Sequence, residues 1–411
     1  MKFLMHCLIL LLPFAPAVAL AQAQAQAQEG EPVIAAAAAK AARNYLLIDT
    51  HIDVPERLEG KWADVTGRVE DGDFDYERAR RGGLDIPFMS IYTPGASEAQ
   101  GTSYELANRL IDRVEALVGR APGKFAIVRS PDEALAAKER GLIGLAMGME
   151  NGSPIDGKLE NLAFFRDRGV SYVTLTHSLS NHIADSSYDE HRQWNGLSPF
   201  GRELVAEMNR LGVMVDVSHV SDEAFYQVLE LSRAPVIASH SSARHFTPGF
   251  ERNMSDEMIR ALANKGGIIM INFGSSFLTA EAQQWFVRMV AERKAWLRDN
   301  GFDEHGPEAS EFGKRFREQN PFPYASLDDL VAHFTHVIDL VGIDHVGIGS
   351  DFDGVGDSLP EGMKDVSFYP NLVEKLMQKG HSAEDIEAIL GGNLMRVWRA
   401  VQANATPPVA G

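Results

Sequence analysis

Residues 141–150 read GLIGLAMGME, an apolar run that ends on a carboxylate at Glu150. No charged residue interrupts the run before Glu150, so it suits a strand that is covered on both faces. Such strands belong to parallel sheets whose helical crossovers lie on either side. The stretch therefore predicts an α/β fold with a polar group where one buried strand ends.

Seven further runs of this type occur along the chain, and amphipathic segments separate most of them. Eight strands alternating with helices predict a (β/α)8 TIM barrel over residues 44–402, with a doubly wound open sheet as the alternative. The charged, aromatic stretch 278–325 is too long for a βα loop. It predicts a helical insertion, lying either at the barrel mouth or on the surface away from the site. The eight runs are Leu46–Asp53, Leu84–Thr93, Gly141–Glu150, Val170–Ser178, Gly212–Val220, Ala234–Ser241, Gly266–Phe273 and His345–Phe352.

Polar residues of an unusual kind occupy the carboxyl ends of six predicted strands. A single histidine or carboxylate there is commonly structural, but seven in the right phase favour a shared site at the barrel mouth. Imidazole and carboxylate suit zinc and similar divalent ions, so the pattern predicts a metal centre. The seven residues are His51, Asp53, Glu150, His177, His219, His240 and Asp351.

The spacing of five of these residues predicts two metal positions. His51 and Asp53 are two apart on one strand, so their side chains point to the same side and can bind one ion. His219 and His240 end neighbouring strands and can bind a second ion. Glu150 lies between both pairs in barrel order, and its two oxygens can bridge the ions. Two ions ~3.5–4 Å apart would activate a shared water and polarise a substrate carbonyl.

Several motifs then make the chain resemble the membrane dipeptidase (renal dipeptidase) family of zinc metallopeptidases, from about residue 47 to residue 398. The motifs are DTHID at 49–53, TLTH at 174–177, DVSHVS at 216–221, PVIASHSSA at 235–243 and DHVGIGSDFDG at 344–354. The resemblance implies a metal-dependent hydrolase that cleaves free dipeptides with a hydroxide bridging two zinc ions. It assigns His51, Asp53 and Glu150 to one zinc, and Glu150, His219 and His240 to the other.

The resemblance also implies roles for three residues beyond the metal ligands. His177 would contact the substrate carbonyl, Arg252 would bind the substrate's C-terminal carboxylate, and Asp351 would move the catalytic proton. A forked guanidinium suits a free carboxylate, and amide cleavage needs a proton carried from the attacking water to the leaving amine. Asp353 is the alternative to Asp351, although Asp351 lies directly at the strand end.

Other residues near the predicted site are open to more than one interpretation. Arg252 could pair with Glu251 or Asp256 instead of a substrate. Phe277 occupies the place of a tyrosine in the mammalian enzyme, the loop after it is longer, and the mammalian disulfides and lipid anchor have no counterpart. Because of these departures, the sequence does not predict which side chains of a dipeptide substrate the enzyme prefers. Three more histidines are expected to be loop or surface residues: His182, His191 and His245.

Two other functional classes are compatible with a polar barrel end. Barrel amidohydrolases such as deaminases or lactonases commonly carry His-x-His on strand one and a lysine on strand four, where this chain has Asp53 and His177. A secreted binding protein that had lost its metals would lack a ligand, and none of the five is missing. Both comparisons favour the dipeptidase interpretation.

The composition excludes several partners and chemistries. A formal net charge of −18 argues against binding to nucleic acid or to an anionic membrane surface, which both need a positive field. The only cysteine, Cys7, lies near the N-terminus within the predicted signal peptide, which excludes a disulfide and a thiol nucleophile in the mature protein. Dipeptides are the expected partners, and the sequence leaves a homodimer open.

The two ends of the chain predict export. Residues 1–21 combine Lys2 with an apolar stretch and small residues, which indicates a secretory signal peptide, with a transmembrane anchor as the alternative. Residues 22–43 are expected to be a flexible N-terminal segment, and residues 403–411 a flexible tail without an anchor signal. The expected location is the periplasm or the outside of the cell, with no membrane span after cleavage.

If the signal peptide is removed, N-terminal sequencing of the mature protein will find its first residue between about Leu20 and Glu29, the region after the apolar stretch. Cytoplasmic protein made without export serves as the uncleaved control. A mature exported protein that still begins at Met1 would contradict the prediction.

Overall fold

The computed structural model describes residues 33–303 and 306–406, and its centre is a ring of parallel strands. The strands are β1 (Ile48–Ile52), β2 (Ile86–Tyr92), β3 (Phe125–Ile127), β4 (Ile143–Glu150), β5 (Val170–Thr174), β6 (Met214–Asp216), β7 (Ile237–Ser241), β8 (Ile268–Ile271) and β9 (Val346–Ile348). Strands β1, β2 and β4 to β9 follow one another around the ring. Asp53 N donates to Phe352 O at 2.9 Å and Asp351 N donates to His51 O at 3.0 Å, which completes the ring.

The ring is the TIM barrel predicted from the sequence, and the open-sheet alternative is wrong. Each of the eight ring strands lies within one of the eight predicted runs. The short strand β3 was not predicted; it pairs with the start of β4 outside the ring, with Phe125 opposite Ile143. Its apolar run, Phe125–Val128, has only four residues between Lys124 and Arg129, which is too few to give a strand signal. Strands β6 and β9 are equally short but lie within longer apolar runs.

Helices follow most of the strands and cover the outside of the ring. Serine N-caps begin many of them: Ser221 accepts a hydrogen bond from Ala224 N, and Ser255 accepts one from Met258 N. The helices are α1 (33–44), α2 (Val54–Gly60), α3 (Tyr76–Gly82), α4 (Ala96–Ala99), α5 (Ser103–Arg120), α6 (Pro131–Glu139), α7 (Leu159–Asp167), α8 (Pro199–Leu211), α9 (Asp222–Leu231), α10 (Asp256–Asn264), α11 (Ser275–Leu278), α12 (Ala280–Asn300), α13 (Pro307–Gln319), α14 (Leu327–Val341), α15 (Tyr369–Gln378), α16 (Ala383–Glu387) and α17 (Asn393–Ala403).

The two ends of the barrel interior differ in chemistry. Near the amino ends of the strands, apolar side chains such as Ile48 and Ile268 pack against α17. Trp398 of α17 is fully buried and its ring lies 5.3 Å from that of Phe88. This end is therefore filled by a hydrophobic core, which leaves the carboxyl ends of the strands for polar side chains.

The connection between β8 and β9 contains the stretch 278–325, for which the sequence predicts a helical insertion. Helices α12 and α13 lie there and form a small core of their own, which includes Trp285 and Phe316. Tyr324 Oη donates to Asp357 Oδ2 at 2.7 Å, and Arg317 pairs with the same carboxylate at 3.3 Å. Asp357 belongs to the loop that follows β9, so the insertion is attached to the loops at the barrel mouth.

The N-terminal part of the described chain differs from the flexible segment predicted over residues 22–43. Residues 33–44 form α1, and Ala38 and Ala42 are fully buried against the domain, because small side chains allow the helix to approach closely. The predicted signal peptide, residues 22–32 and the tail from 407 onward lie outside the described residues. Within the described residues, no helix combines the length and apolarity needed to cross a membrane.

Candidate active site

The five predicted metal ligands come together at the carboxyl end of the barrel. His51 lies near the end of β1 and Asp53 directly follows that strand, whereas Glu150 is the last residue of β4. His240 belongs to β7, and His219 follows β6 by three residues. None of the five is more than 6% exposed. Burying so many polar groups is costly unless they bind one another or a ligand.

The carboxylate of Glu150 separates these ligands into two groups. Its Oε1 lies 3.1 Å from Nε2 of His219 and 3.2 Å from Nε2 of His240. Its Oε2 lies 3.3 Å from Nε2 of His51, which is itself 3.5 Å from Oδ2 of Asp53. Two ligand atoms of a tetrahedral zinc ion, each ~2.0–2.1 Å from the metal, lie about 3.3 Å apart. The spacing therefore fits one ion on each side of Glu150.

A buried tyrosine selects the tautomer of His51. Tyr172 Oη donates its only proton to Thr50 O at 2.9 Å, and the same oxygen lies 2.9 Å from Nδ1 of His51. Because the tyrosine proton is already used, Nδ1 of His51 must carry the proton of that second hydrogen bond. In the neutral ring Nε2 therefore carries the lone pair, and this nitrogen has no hydrogen-bond partner among the described residues.

His240 is oriented by the same principle through a serine. Ser239 Oγ donates to Asp216 Oδ2 at 2.5 Å and lies 2.7 Å from Nδ1 of His240, so that nitrogen carries the proton. Nε2 of His240 therefore directs a lone pair toward Glu150 and lies only 2.9 Å from Nε2 of His219. Converging ring nitrogens held by outer hydrogen bonds are typical of a metal site.

The sequence did not predict these supporting residues. Asp216 and Ser239 lie within the quoted motifs, and Tyr172 lies on β5, but their roles depend on neighbours that are distant along the chain. Asp216 also accepts hydrogen bonds from Ser218 N at 3.0 Å and Ser239 N at 2.8 Å. The one signal in the sequence that could have indicated a supporting role was Asp216, an aspartate at the end of an apolar run.

Left-handed backbone turns direct two of the site residues inward. His219 has a φ of 70° and Asp351 has a φ of 65°, and each lies three residues after the end of a strand. Such a conformation in a non-glycine residue costs about 1–3 kcal/mol and is concentrated at functional sites. Hydrogen bonds of the ring, such as Asp351 N to His51 O, offset part of that cost here.

The charges of the site favour bound cations. Burial by itself raises the pKa of Glu150, but the imidazoles of His51 and His177 and hydrogen bonds from His219 and His240 hold it well below its usual range. Burial and nearby positive charge lower the pKa values of His219 and His240 well below the usual range, so both imidazoles are neutral.

His51 behaves differently because two carboxylates surround it. Burial lowers its pKa, but the hydroxyl of Tyr172 and the carboxylates of Glu150 and Asp53 outweigh burial and raise the pKa well above the usual range. The position between these carboxylates therefore attracts a positive charge, which a proton or a divalent ion can supply.

His177 lies at the edge of the metal-ligand cluster, with 21% of its side chain exposed. Its Nε2 is 3.6 Å from Oε1 of Glu150, and its ring centroid is 4.2 Å from that of His219. Burial lowers the pKa of His177, and its Nδ1 has no hydrogen-bond partner among the described residues. The structure thus brings a neutral imidazole beside the ligands, with one side open to the barrel mouth.

Arg252 lies on the other side of His240, almost fully buried. Its Nη1 donates to Ser241 Oγ and its Nη2 to His240 O, both at 2.8 Å, whereas its Nε has no hydrogen-bond partner among the described residues. Its guanidinium carbon is 5.4 Å from the centre of the Phe277 ring. These two hydrogen bonds orient the guanidinium and use two of its five N–H groups.

The alternative ion pairs of Arg252 do not form. Glu251 binds Arg192 through Oε2 at 2.5 Å and Asp222 N through Oε1 at 3.0 Å. Asp256 binds His336 at 2.8 Å. Within the described part of the chain, Arg252 has no carboxylate partner.

Asp351 and Asp353 have different surroundings. Asp351 contributes a carboxylate oxygen to a cluster with His51 and Asp53, and it accepts a hydrogen bond from Asn272 at 2.7 Å. Burial, followed by the charge of Asp53, raises the pKa of Asp351 to about 7. Asp353 instead faces away and pairs with Nε of Arg57 at 2.9 Å. The geometry therefore favours Asp351 as the carboxylate that serves the site.

The comparisons with known proteins agree with this geometry. Residues 35–408 match the family model described as membrane dipeptidase, peptidase family M19. The chain belongs to the membrane dipeptidase family. It is a dipeptidase of that family and thus a metallopeptidase, so the deaminase, lactonase and metal-free binding-protein alternatives are not supported.

Relatives of the membrane dipeptidase family cover most of the chain. Dipeptidase 3 of Mus musculus is 30% identical over 380 residues, which are 90% of this chain and 67% of the mouse protein. Dipeptidase aclJ of Aspergillus oryzae is 32% identical over 80% of this chain and 70% of its own. The crystal structure of the probable dipeptidase PvdM from Pseudomonas aeruginosa superimposes with a TM-score of 0.78, at 26% identity, over 91% of this chain and all of PvdM.

Gly354 provides a test of the site geometry, because a Cβ at this position would overlap both Asp53 Oδ2 and Asp351 Oδ1. We expect Gly354→Ala to displace Asp53 and to reduce bound divalent metal by about one ion per chain, since ligand position decides affinity. Elemental analysis measures the content, and circular dichroism checks the fold.

The matched control is Gly60→Ala, because a Cβ there meets nothing within 4 Å. Full metal content in a folded Gly354→Ala protein would mean that Asp53 is not held where the structure has it.

Proposed function

We propose that this dipeptidase hydrolyses free dipeptides with two divalent metal ions, zinc by the chemistry of the ligands, held by His51, Asp53, Glu150, His219 and His240. The observation that carries the proposal is the placement of Glu150, whose two oxygens face two separate groups of ligand atoms. The buried lone pair of His51 Nε2, which has no partner among the described residues, supports the fit. Neutral imidazoles and carboxylates are the ligands that zinc prefers.

When bound, two such ions would supply a bridging hydroxide as nucleophile and would polarise the scissile carbonyl. The protein contributes the rest of the chemistry. Tyr172 and Ser239 keep the imidazoles of His51 and His240 in the tautomer that presents Nε2 inward. Preorganisation of this kind avoids rearrangement during the reaction.

His177 is suited to bind the carbonyl oxygen as it gains negative charge. The imidazole lies beside Glu150 and His219, and its exposed side faces the space where a substrate would enter. Its lowered pKa keeps the ring neutral, so one ring nitrogen carries a proton that it can donate. A hydrogen bond that strengthens as charge develops stabilises the transition state more than the bound substrate.

Asp351 is suited to carry the proton between the two halves of the reaction. Its carboxylate is near His51 and Asp53, and Asn272 fixes its orientation from the other side. A carboxylate in this position can accept the proton of the attacking water and deliver it to the amine nitrogen as the amide bond breaks. Its raised pKa means that burial disfavours the charged form, which makes the protonated form accessible.

Arg252 is suited to bind the free C-terminal carboxylate of the substrate. A buried guanidinium without a carboxylate partner is costly, and an anionic ligand would offset that cost. Ser241 and the carbonyl of His240 use two of its five N–H groups, so enough remain for a bidentate contact. Because the reacting carbonyl and the carboxylate are then held at fixed points, the site would measure substrate length.

We also propose that the enzyme works in the periplasm or outside the cell. The support is the sequence of residues 1–21, a positive residue followed by an apolar stretch and small residues, which is typical of a secretory signal.

The role of Asp351 predicts that Asp351→Asn lowers kcat by ~10²–10⁴-fold, the usual contribution of a proton-transfer group. The metal content of this variant should stay at the wild-type level, as measured by elemental analysis. Asp353→Asn is the comparison variant, and we expect it to keep most of kcat. If the losses are reversed between the two variants, Asp353 carries the proton instead.

The role of Arg252 predicts that the enzyme cleaves dipeptides well but cleaves tripeptides and C-terminally amidated dipeptides poorly. Arg252→Ala should lower kcat/KM for dipeptides by ~10–150-fold, equivalent to ~1.5–3 kcal/mol for charge-assisted hydrogen bonds. Its kcat/KM for amidated dipeptides should change much less. Wild-type enzyme that cleaves amidated dipeptides as fast as free ones would show that no carboxylate is recognised.

A further inference from the structure

A second group of metal-binding side chains lies outside the active site. His245 belongs to a short 3-10 turn (Arg244–Phe246) after β7, Asp256 is the first residue of α10, and His336 lies on α14. Their potential ligand atoms all lie within 4.8 Å of one another. Three elements that are separated along the chain thus converge on one point at the surface.

The three side chains are already ordered relative to one another. Nε2 of His336 lies 2.8 Å from Oδ1 of Asp256, and the rings of His245 and His336 are stacked with centroids 4.4 Å apart. His245 is exposed, whereas Asp256 and His336 are half-buried. Solvent can therefore reach the cluster and complete the coordination of a bound ion.

His333, the neighbouring histidine on α14, is not part of this cluster. His333 is buried, accepts a hydrogen bond from Ala243 N on Nδ1 and donates one from Nε2 to Leu278 O. Burial lowers the pKa of His333 to about 4, so it adds no positive charge beside the cluster. It fixes α14 against the chain that follows β7.

Nearby cations are also engaged elsewhere. Arg244, which precedes His245, makes two hydrogen bonds to Asp222 at 2.7 and 2.6 Å. Within the described residues, the ion pair of Asp256 is with His336. In the part of the chain that the structure describes, no lysine or arginine therefore holds the carboxylate of Asp256 away from a metal ion.

We propose that His245, Asp256 and His336 form a third metal site, for a borderline divalent ion such as Zn²⁺, Co²⁺ or Ni²⁺. Two imidazoles and one carboxylate form a ligand set suited to these ions, with water in the remaining position. Mg²⁺ and Ca²⁺ prefer oxygen ligands and are poor candidates. The site is independent of the proposed catalytic chemistry, because it shares no residue with the active site.

The position of the third site gives it a structural consequence. His245 and Asp256 lie at the two ends of the segment 245–256, which carries Arg252, and His336 belongs to the neighbouring helix α14. An ion that binds all three side chains would join both ends of this segment to α14. Ligands that bind only the folded state raise the temperature of unfolding, so occupancy of the site should do the same.

The test measures zinc bound per chain as the free zinc concentration is raised. Purified full-length mature enzyme is dialysed against buffered zinc, and elemental analysis is combined with dipeptide hydrolysis and thermal unfolding. We expect wild type to bind one zinc ion more than His245→Ala and His336→Ala, and to gain thermal stability from that ion. His245→Ala is the safer variant because this side chain is exposed and should not affect folding.

His381→Ala is the matched control, because His381 forms a His–Asp pair with Asp385 at 3.9 Å without belonging to the cluster. It should bind as much zinc as wild type. Equal zinc content in wild type and His245→Ala would overturn the proposal and leave His336 and Asp256 as a simple ion pair. This test is separate from the test of the active site. If the catalytic proposal fails, dipeptide hydrolysis is affected, but the difference in bound zinc between wild type and His245→Ala is not.

Discussion

The structure of this protein depends on one buried carboxylate, Glu150, placed between imidazoles from opposite sides of the barrel. A carboxylate at this depth is unfavourable unless positive charge or hydrogen-bond donors compensate it. His51 faces one of its oxygens, and His219 and His240 face the other. Under the proposed function, the same arrangement that satisfies Glu150 would also hold two cations, so the requirement for stability and the requirement for function would coincide.

The residues around Glu150 act mainly by fixing which ring nitrogen of each histidine carries the proton and where the side chains of the site point. The hydroxyl of Tyr172 donates its hydrogen bond to Thr50 O, and the hydroxyl of Ser239 donates to Asp216. The neighbouring Nδ1 of His51 or His240 must therefore carry the ring proton, and Nε2 of the neutral ring faces the centre unprotonated. Left-handed backbone at His219 and Asp351 turns those side chains toward the centre in the loops that follow β6 and β9. Neither device adds a ligand, but without them the ligands would have several alternative orientations.

Along the barrel axis, the residues that stabilise the fold lie at one end and the polar residues of the site lie at the other. At the amino ends of the strands, Trp398 and neighbouring apolar side chains fill the interior and supply hydrophobic stabilisation. At the carboxyl ends, the loops supply residues such as Arg252, whose position depends on contacts with Ser241 and the His240 backbone. The segment that carries Arg252 is also bounded by His245 and Asp256, so its conformation is tied to α14 through His336.

The sequence by itself determined the ring strands and the barrel, and it singled out five residues that the structure brings together at the carboxyl end. These features depend on local patterns, namely apolar runs that end in a polar residue of a particular type. The sequence could not determine β3 or the packing of α1, since short or alanine-rich segments carry little periodic signal. Only the tertiary structure showed that Tyr172 reaches His51 and that Arg252 has no carboxylate partner among the described residues. Those relations join residues that are distant along the chain, and their side-chain directions follow from barrel closure.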